Sequence, residues 1–156
     1  MAVKTAKPSK IARQTAARLA AVQAVYQQEV SGGTATGLID QFTSHRFGAE
    51  IEGDEYVTPD PGLFAAIVRG VDDRREDVDH MIAGALTTDW SPGRLQAVLR
   101  AIMRAGVWEL LANSEVDAPI IIADYVHMTD AFFDQKEAAL TNAVLDRLNR
   151  ELRGGD

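Results

Sequence analysis

The sequence predicts an all-α fold: a single-domain, compact bundle of six or seven helices. Apolar residues recur at intervals of three and four along most of the 156-residue chain, which places them on one face of each helix. Polar or acidic residues stand just before several of these runs and are often followed by proline, as is typical of helix starts. The one β-like run, PIIIADYV, begins with proline and has the length of a helical segment, so no strand is predicted.

Two helices are predicted ahead of an acidic connector. Residues from about 10 to 30 carry apolar side chains at helical spacing, and the glycine pair at 32–33 ends this helix. Thr36 is a suitable cap for a short second helix that contains Leu38 and Phe42. The stretch GAEIEGDEYVTPDPG that follows is acidic and interrupted by glycine and proline, which indicates an exposed connector.

Four further helix starts are predicted from capping residues. They are marked by Asp60-Pro61, Ser91-Pro92, Asp117 with Pro119, and the capping-box pair Asp134 and Glu137. The chain after Asp60 holds two apolar patterns separated by DDRRED, which fits either two helices or one bent helix. Between residues 95 and 111 the apolar side chains occupy more than one helix face, so we expect this helix at the centre of the bundle.

Composition and motifs argue against catalysis, cofactor binding and a membrane location. The chain has no cysteine, which excludes disulfides, thiolate metal sites and thiol chemistry and fits a reducing cytoplasm. His45, His80 and His127 lack metal-ligand spacing, and no phosphate-loop or dinucleotide fingerprint occurs. No apolar run approaches the ~20 residues of a membrane span, and residues 1–10 lack the apolar core of a secretory signal. We therefore predict a cytoplasmic protein with no metal, no cofactor, no enzymatic activity and no membrane partner.

Positive charge is concentrated at the amino terminus. Five of the 16 Lys and Arg residues fall within the first 18 positions, whereas all 23 acidic residues come later, so the two parts carry charges of +5 and −12. An anionic body repels a polyanion, and a phosphate-binding surface must therefore be local and include the first segment. We divide the chain into a flexible basic arm, residues 1–10, and a helical domain, residues 11–153. A solvated basic tail accounts for the same charges without any binding.

Three blocks of this sequence resemble the bacterial transcription antitermination factor family NusB. They are ARLAAVQAVYQQEVSG, RLQAVLRAIMRAGVWELLANSEVDAPIIIADYV and ALTNAVLDRLNREL, and they occur in the family's order at the expected separations. The likeness extends from about residue 11 to residue 153 and implies an all-helical, non-catalytic protein. The same fold forms the amino-terminal domain of a ribosomal-RNA cytosine methyltransferase, but no glycine-rich cofactor-binding domain follows in this chain.

The resemblance also implies partners. NusB-like proteins pair with NusE, a small-subunit ribosomal protein that also acts in transcription. Together they bind the single-stranded boxA element of nascent ribosomal RNA. The complex then joins elongating RNA polymerase with other Nus factors and suppresses premature termination. Some members form homodimers that cover the RNA surface, and the sequence leaves the choice between monomer and homodimer open.

Ten residues are candidate RNA contacts. They are Lys4, Lys7, Lys10, Arg13, Gln14, Arg18, Arg100, Arg104, Lys136 and Asn142. The first helix is free of acidic residues before Glu29, which suits a surface that lies along phosphates. The family's arginine-rich run matches residues 13–18, although only the first and last of these are arginines here. Arg100 and Arg104 lie four apart on one helix face, where they either widen the basic surface or pair with carboxylates such as Glu109.

The remaining assignments also leave alternatives open. Lys136 begins the last helix, which borders the RNA surface in the family, but it is equally an ordinary exposed lysine. Asn142 contacts RNA or braces a neighbouring helix. Tyr26 matches an aromatic family position near the NusE surface, with core packing as the alternative. For the whole chain, the competing hypotheses are a helical oligomerisation or scaffold protein and a detached relative of the methyltransferase's RNA-binding domain.

Overall fold

The computed structural model describes residues 9–45, 47, 57–87 and 89–154. Within these ranges the chain forms seven α-helices and no strand, which confirms the predicted all-α bundle. The helices are α1 (Lys10–Ser31), α2 (Ala35–His45), α3 (Pro61–Asp73), α4 (Arg75–Ala85), α5 (Ala97–Ala112), α6 (Ala118–Phe132) and α7 (Gln135–Arg153). Lys4, Lys7 and most of the acidic connector lie outside the described residues, so the flexible arm stays a prediction; Lys10 already belongs to α1.

Side-chain caps hold the starts of α1, α3 and α7. The Ser9 hydroxyl accepts a hydrogen bond from the Ala12 amide at 3.0 Å where α1 begins. Asp60 accepts from two amides of the first turn of α3, at 2.9 and 3.1 Å. Asp134 and Glu137 form a capping box at the start of α7. The starts predicted at Asp60 and Asp134 are therefore confirmed, because these side chains satisfy amides that have no partner within the helix.

Two other predicted starts are wrong. Thr34, rather than Thr36, caps α2, since its hydroxyl accepts a hydrogen bond at 3.0 Å from an amide of the first turn. The Ser91-Pro92 signal precedes only a 3-10 turn, Pro92–Arg94. The extended backbone of Gln96, with ψ at 149°, separates that turn from α5.

Helix α5 lies at the centre of the bundle, as the width of its apolar surface predicts. It packs against α1, α3, α4, α6 and α7, and every residue from 101 to 107 is buried. The segment after Asp60, for which the sequence allows either two helices or one bent helix, forms two helices, α3 and α4, which meet at Arg74. Because α5 contacts both α1 and α6, charged residues on these three helices are brought together in the interior.

Arg153, at the end of α7, ties the carboxyl end of α5 to the bundle. Its guanidinium donates to the carbonyl oxygens of Leu110 at 2.8 Å, Asn113 at 2.6 Å and Val116 at 2.9 Å. These carbonyls lie at and after the end of α5, where helix carbonyls lack intrahelical partners and carry partial negative charge. The side chain therefore stabilises the turn that leads into α6.

Candidate nucleic-acid and partner interface

Arg18 is buried, so its predicted place on an RNA-facing surface is wrong. Its side chain is 1% exposed, and its Nε and Nη2 donate to the two carboxylate oxygens of Glu109 at 2.7 and 3.0 Å. Its Nη1 donates to Asp124 at 2.7 Å. Burial alone would lower the pKa of Arg18, but the hydrogen bonds to Glu109, the charge of Glu109 and the hydrogen bond to Asp124 raise it above the ordinary value. The guanidinium is thus charged and occupied by carboxylates, which leaves it unavailable to a phosphate.

The two carboxylates that bind Arg18, those of Glu109 and Asp124, accept further hydrogen bonds. Together these bonds form a network that joins α1, α5 and α6. The Tyr125 hydroxyl, on α6, donates to Glu109 at 2.8 Å, and Asn113 donates to the other oxygen of Glu109 at 3.0 Å. The Thr15 hydroxyl, one turn before Arg18, donates to Asp124 at 2.9 Å. Burial, followed by the charge of Glu109 and the hydrogen bond to it, raises the pKa of Tyr125 well above its ordinary value. This network fixes the first half of α1 on α5 and α6.

Arg100 and Arg104 pair with carboxylates and do not widen the basic surface. Arg104 is buried and donates to both carboxylate oxygens of Asp79 at 2.8 and 2.9 Å. Arg100, 22% exposed, donates to Glu29 at 2.6 Å. The alternative of carboxylate pairing is therefore confirmed, although the partners are Glu29 and Asp79 rather than Glu109. Ion pairs that join α5 to α1 and α4 replace the expected extension of the basic surface.

The start of α1 keeps the exposed cations that the sequence predicts. Lys10 and Arg13 are exposed, and no carboxylate of the described residues lies within ion-pair distance of either. The Arg13 Nε makes a long hydrogen bond, 3.3 Å, to the carbonyl of Thr58, which leaves its charge uncompensated. Gln14 lies beside them and is partly exposed. These three residues form the basic edge of the molecule, and we use that name for them below.

Lys136 and Asn142 are both exposed on α7 but do not share a helix face. Their separation of six residues turns them by about 120° relative to each other. The Lys136 ammonium lies 5.0 Å from the centre of the Trp90 ring, a cation–π contact. Asn142 has no hydrogen-bond partner among the described residues, so the alternative that it braces a neighbouring helix is not supported. Contact of either residue with RNA stays a prediction.

Tyr26 borders an apolar groove that is open to solvent. The groove has a volume of about 330 Å³, and its apolar lining residues are Leu19, Val22, Tyr26, Val30, Phe42, Val98 and Phe132. Tyr26 is 36%, Val30 58% and Phe132 54% exposed. Large apolar side chains that are exposed together on a soluble bundle mark an interaction surface. The ring of Tyr26 is therefore a wall of this apolar groove rather than part of the sealed core.

Comparison with known proteins identifies the family. The sequence profile of the NusB family matches residues 15–150. The chain belongs to the NusB family. A Rhizobium etli protein named transcription antitermination protein NusB is 46% identical over 152 residues, which cover 97% of this chain and 95% of that protein. A Sinorhizobium medicae protein of the same name is 43% identical over 139 residues, covering 89% and 87%. The resemblance and the prediction of a non-enzymatic protein are confirmed.

Solved NusB structures share the fold. T. maritima NusB superposes with a TM-score of 0.72 at 20% identity, over 88% of this chain and 91% of that one. NusB in a crystal structure of the antitermination factors NusB and NusE with double-stranded RNA gives a TM-score of 0.72, also at 20% identity, over 89% and 97%. At this identity the likeness establishes the NusB fold, and residue roles depend on the side chains described above.

Metal and membrane sites are not found in the described part of the chain. No group of three or more His, Asp or Glu side chains in those residues is placed to hold a metal ion. None of the described helices is long and apolar enough to cross a membrane.

Proposed function

We propose that this chain is an RNA-binding antitermination adaptor that pairs with NusE. The pair binds boxA-type single-stranded RNA in nascent ribosomal RNA transcripts and joins elongating RNA polymerase with other Nus factors in the bacterial cytoplasm. One observation carries the proposal: α1 presents exposed cations without carboxylate partners at its start and an apolar groove along its second half. A polyanion and an apolar protein surface each find a matching region on the same helix.

The basic edge is the proposed RNA surface. Lys10, Arg13 and Gln14 supply two charges and an amide, and Lys4 and Lys7 of the preceding arm extend the positive charge along the chain. Single-stranded RNA is held largely through its phosphates, which such side chains neutralise. Arg18 contributes indirectly, because its bonds to α5 and α6 fix the helix that carries the basic edge.

The apolar groove is the proposed NusE surface. Tyr26 supplies a rigid ring with a polar tip, the kind of side chain that anchors protein interfaces. Arg13 and Tyr26 are 13 residues apart, which corresponds to about 20 Å along the axis of α1. That distance lets RNA and a protein partner bind together without overlap. It also lets RNA that touches both proteins bind the pair more tightly than either one.

The relatives support this assignment. The proteins that are 46% and 43% identical are named transcription antitermination proteins, and the alignments span nearly all of both chains. A structural neighbour was crystallised as a complex of NusB, NusE and RNA. The RNA in that complex is double-stranded, whereas an exposed cationic helix with few base-reading groups suits the phosphates of a flexible single strand.

A titration with four arms tests the proposal. A labelled boxA-like RNA and a scrambled RNA of the same composition are each titrated with this protein alone and with its NusE. We expect tighter binding of the boxA-like RNA and a further gain when NusE is present. Equal affinity for both RNAs in every arm would reject specific recognition, and a missing NusE effect would reject the adaptor role.

The alternative to NusE binding at the apolar groove is a homodimer that forms through the same surface. Two copies of a scaffold protein would bury the same exposed residues, Tyr26, Val30 and Phe132. Sedimentation of the free protein distinguishes the cases, because NusE would have to compete with a stable homodimer for this surface. A monomer that sediments together with NusE supports the adaptor.

A further inference from the structure

A second cleft lies beside the basic edge and is separate from the apolar groove. It has a volume of about 420 Å³, within the range of about 300–1,000 Å³ that small-molecule sites occupy. The start of α1, the start of α3 and the end of α5 enclose it. Its lining includes Lys10 and Gln14 of the basic edge together with Trp108, Asn113 and Glu115. We call it the Trp108 cleft.

Trp108 gives this cleft a fixed aromatic wall. It is the one partly exposed residue between positions 101 and 110 of α5, where its neighbours are buried. Its indole lies directly against Gly70 of α3, since a Cβ at that glycine would stand 1.9 to 2.4 Å from three ring atoms. The contact leaves the ring little freedom to rotate. An aromatic surface held in this way loses little entropy when a planar group stacks on it.

The charges of the lining favour a neutral planar group over a phosphate. The lining contains the acidic residues Asp60 and Glu115 and the basic residue Lys10, so its formal charge is slightly negative. Outside the lining, Arg13 presents a positive charge that no described carboxylate compensates. A phosphate is therefore attracted to the basic edge and repelled from the interior, whereas an uncharged base meets an aromatic ring and amides. The partly exposed Gln14 supplies an amide donor and an amide acceptor that match the edge of a base.

We propose that the Trp108 cleft receives one unstacked nucleobase of a single-stranded RNA whose phosphates lie on Lys10 and Arg13. The proposal rests on the proposed RNA-binding function and names a specific contact within it. Stacking of single-stranded bases on aromatic side chains is a general mode of recognition.

Tryptophan fluorescence tests the proposal directly, because the chain has only two tryptophans. Trp90→Phe leaves Trp108 as the sole emitter, and Trp108→Phe leaves Trp90. Each variant is titrated with an unlabelled boxA-like RNA, and binding is followed separately by the anisotropy of labelled RNA. We expect RNA to quench the emission of Trp90→Phe more than that of Trp108→Phe, in which the remaining Trp90 lies against Lys136. Bound RNA without quenching of Trp108 would overturn the base contact and leave the proposed function standing. Absence of any RNA binding would overturn both.

A filled cleft provides a second test that leaves the tryptophan in place. Ala66 is exposed on α3 and lines the Trp108 cleft, so Ala66→Leu occupies part of the space without disturbing the core. The matched control is Ala83→Leu, at an exposed position of α4 outside the cleft. We expect Ala66→Leu to weaken RNA binding about fivefold or more, the lower end for loss of one stacked base, and Ala83→Leu to have no effect. Equal affinities for the two variants would contradict the proposal.

Discussion

Arg18 on α1 and Glu109 on α5 form a buried, two-bonded ion pair, with Nε–Oε1 and Nη2–Oε2 distances of 2.7 and 3.0 Å. Both side chains are nearly inaccessible to water, at 1% and 0% exposure. Removing one partner leaves the other charge buried without compensation, which typically costs about 3–5 kcal/mol. We therefore expect Arg18→Met to lower the free energy of unfolding by that amount in urea denaturation.

The surface pair Arg147 and Glu151 provides the control. These residues are about half exposed and stand one turn apart on α7. Arg147→Met should change the free energy of unfolding by less than about 1 kcal/mol, since solvent screens the pair. If Arg18→Met were as mild as Arg147→Met, the buried pair would not be holding α1 in place.

Stability should fall at high pH because of Tyr125. Its raised pKa, caused first by burial and then by Glu109, keeps the phenol protonated in the folded protein. An unfolded tyrosine ionises near pH 10. The folded state therefore holds one more proton above that pH, and the free energy of unfolding should decrease there by up to about 1.4 kcal/mol per pH unit. Below about pH 9 this group should cause no pH dependence.

Replacing Tyr125 tests whether this residue causes the loss of stability at high pH. Tyr125→Phe should flatten the loss of stability above pH 10, while the exposed Tyr26→Phe should leave it unchanged. Denaturation at a series of pH values measures both. A phenolate titration of the native protein in which Tyr125 ionises near the pH of an unfolded tyrosine would contradict the assignment.

Salt dependence measures whether Arg13 contacts a phosphate. Each neutralised phosphate of a single strand contributes about 0.7 to the slope of log affinity against log salt. Arg13→Ala should weaken RNA binding and reduce the slope by about that amount, because its charge has no carboxylate partner among the described residues. Arg69→Ala is the matched control, an exposed arginine on α3 that also lacks a described carboxylate partner. Identical slopes for the two variants would remove Arg13 from the RNA surface.

The apolar groove makes a separate prediction about the protein partner. Tyr26→Ser removes a ring from the wall of the groove and should reduce the affinity for NusE at least tenfold, as expected for an aromatic anchor. RNA binding by the protein alone should stay unchanged, because the basic edge lies about 20 Å away along α1. Ile120→Ser, at an exposed apolar position of α6 outside the groove, controls for loss of surface apolar area. Calorimetric titration with NusE that shows equal losses for both variants would exclude Tyr26 as an anchor.

The sequence predicts the helices well because their signals are local. Apolar spacing and caps such as Asp60 depend only on neighbouring residues, and they locate α1, α3 and the central α5. Ion pairing depends on which helix faces meet, which spacing within one helix does not reveal. Arg100 and Arg104 were placed on one helix face, but their partners Glu29 and Asp79 lie on α1 and α4.

The sequence position of Arg18 carries a signal of its burial. It precedes Val22 and Val25 by four and seven residues, so it falls on the same face as two buried side chains. Glu109 lies in a helix that is apolar on more than one face. Two opposite charges on two buried faces indicate an internal pair, whereas reasoning from net charge treats every cation as exposed. No sequence pattern predicts the Trp108 cleft, because the cleft forms only where three separate helices pack together.

Gly70 and Gly84 provide a matched test of how tightly Trp108 is held. A Cβ at Gly70 would stand 1.9 Å from the nearest indole atom, whereas one at Gly84 meets nothing within 4 Å. Gly70→Ala should therefore lower the free energy of unfolding by about 1–3 kcal/mol through overpacking, and it should shift the emission of Trp108 as the ring moves. Gly84→Ala should raise the free energy of unfolding by about 0.5–1 kcal/mol, because alanine loses less backbone freedom within a helix. Denaturation of both variants, each in a Trp90→Phe background, measures stability and emission together. If Gly70→Ala raised the free energy of unfolding as much as Gly84→Ala does, α3 and α5 would not be in close contact at this point. Trp108 would then not be a fixed wall of the Trp108 cleft.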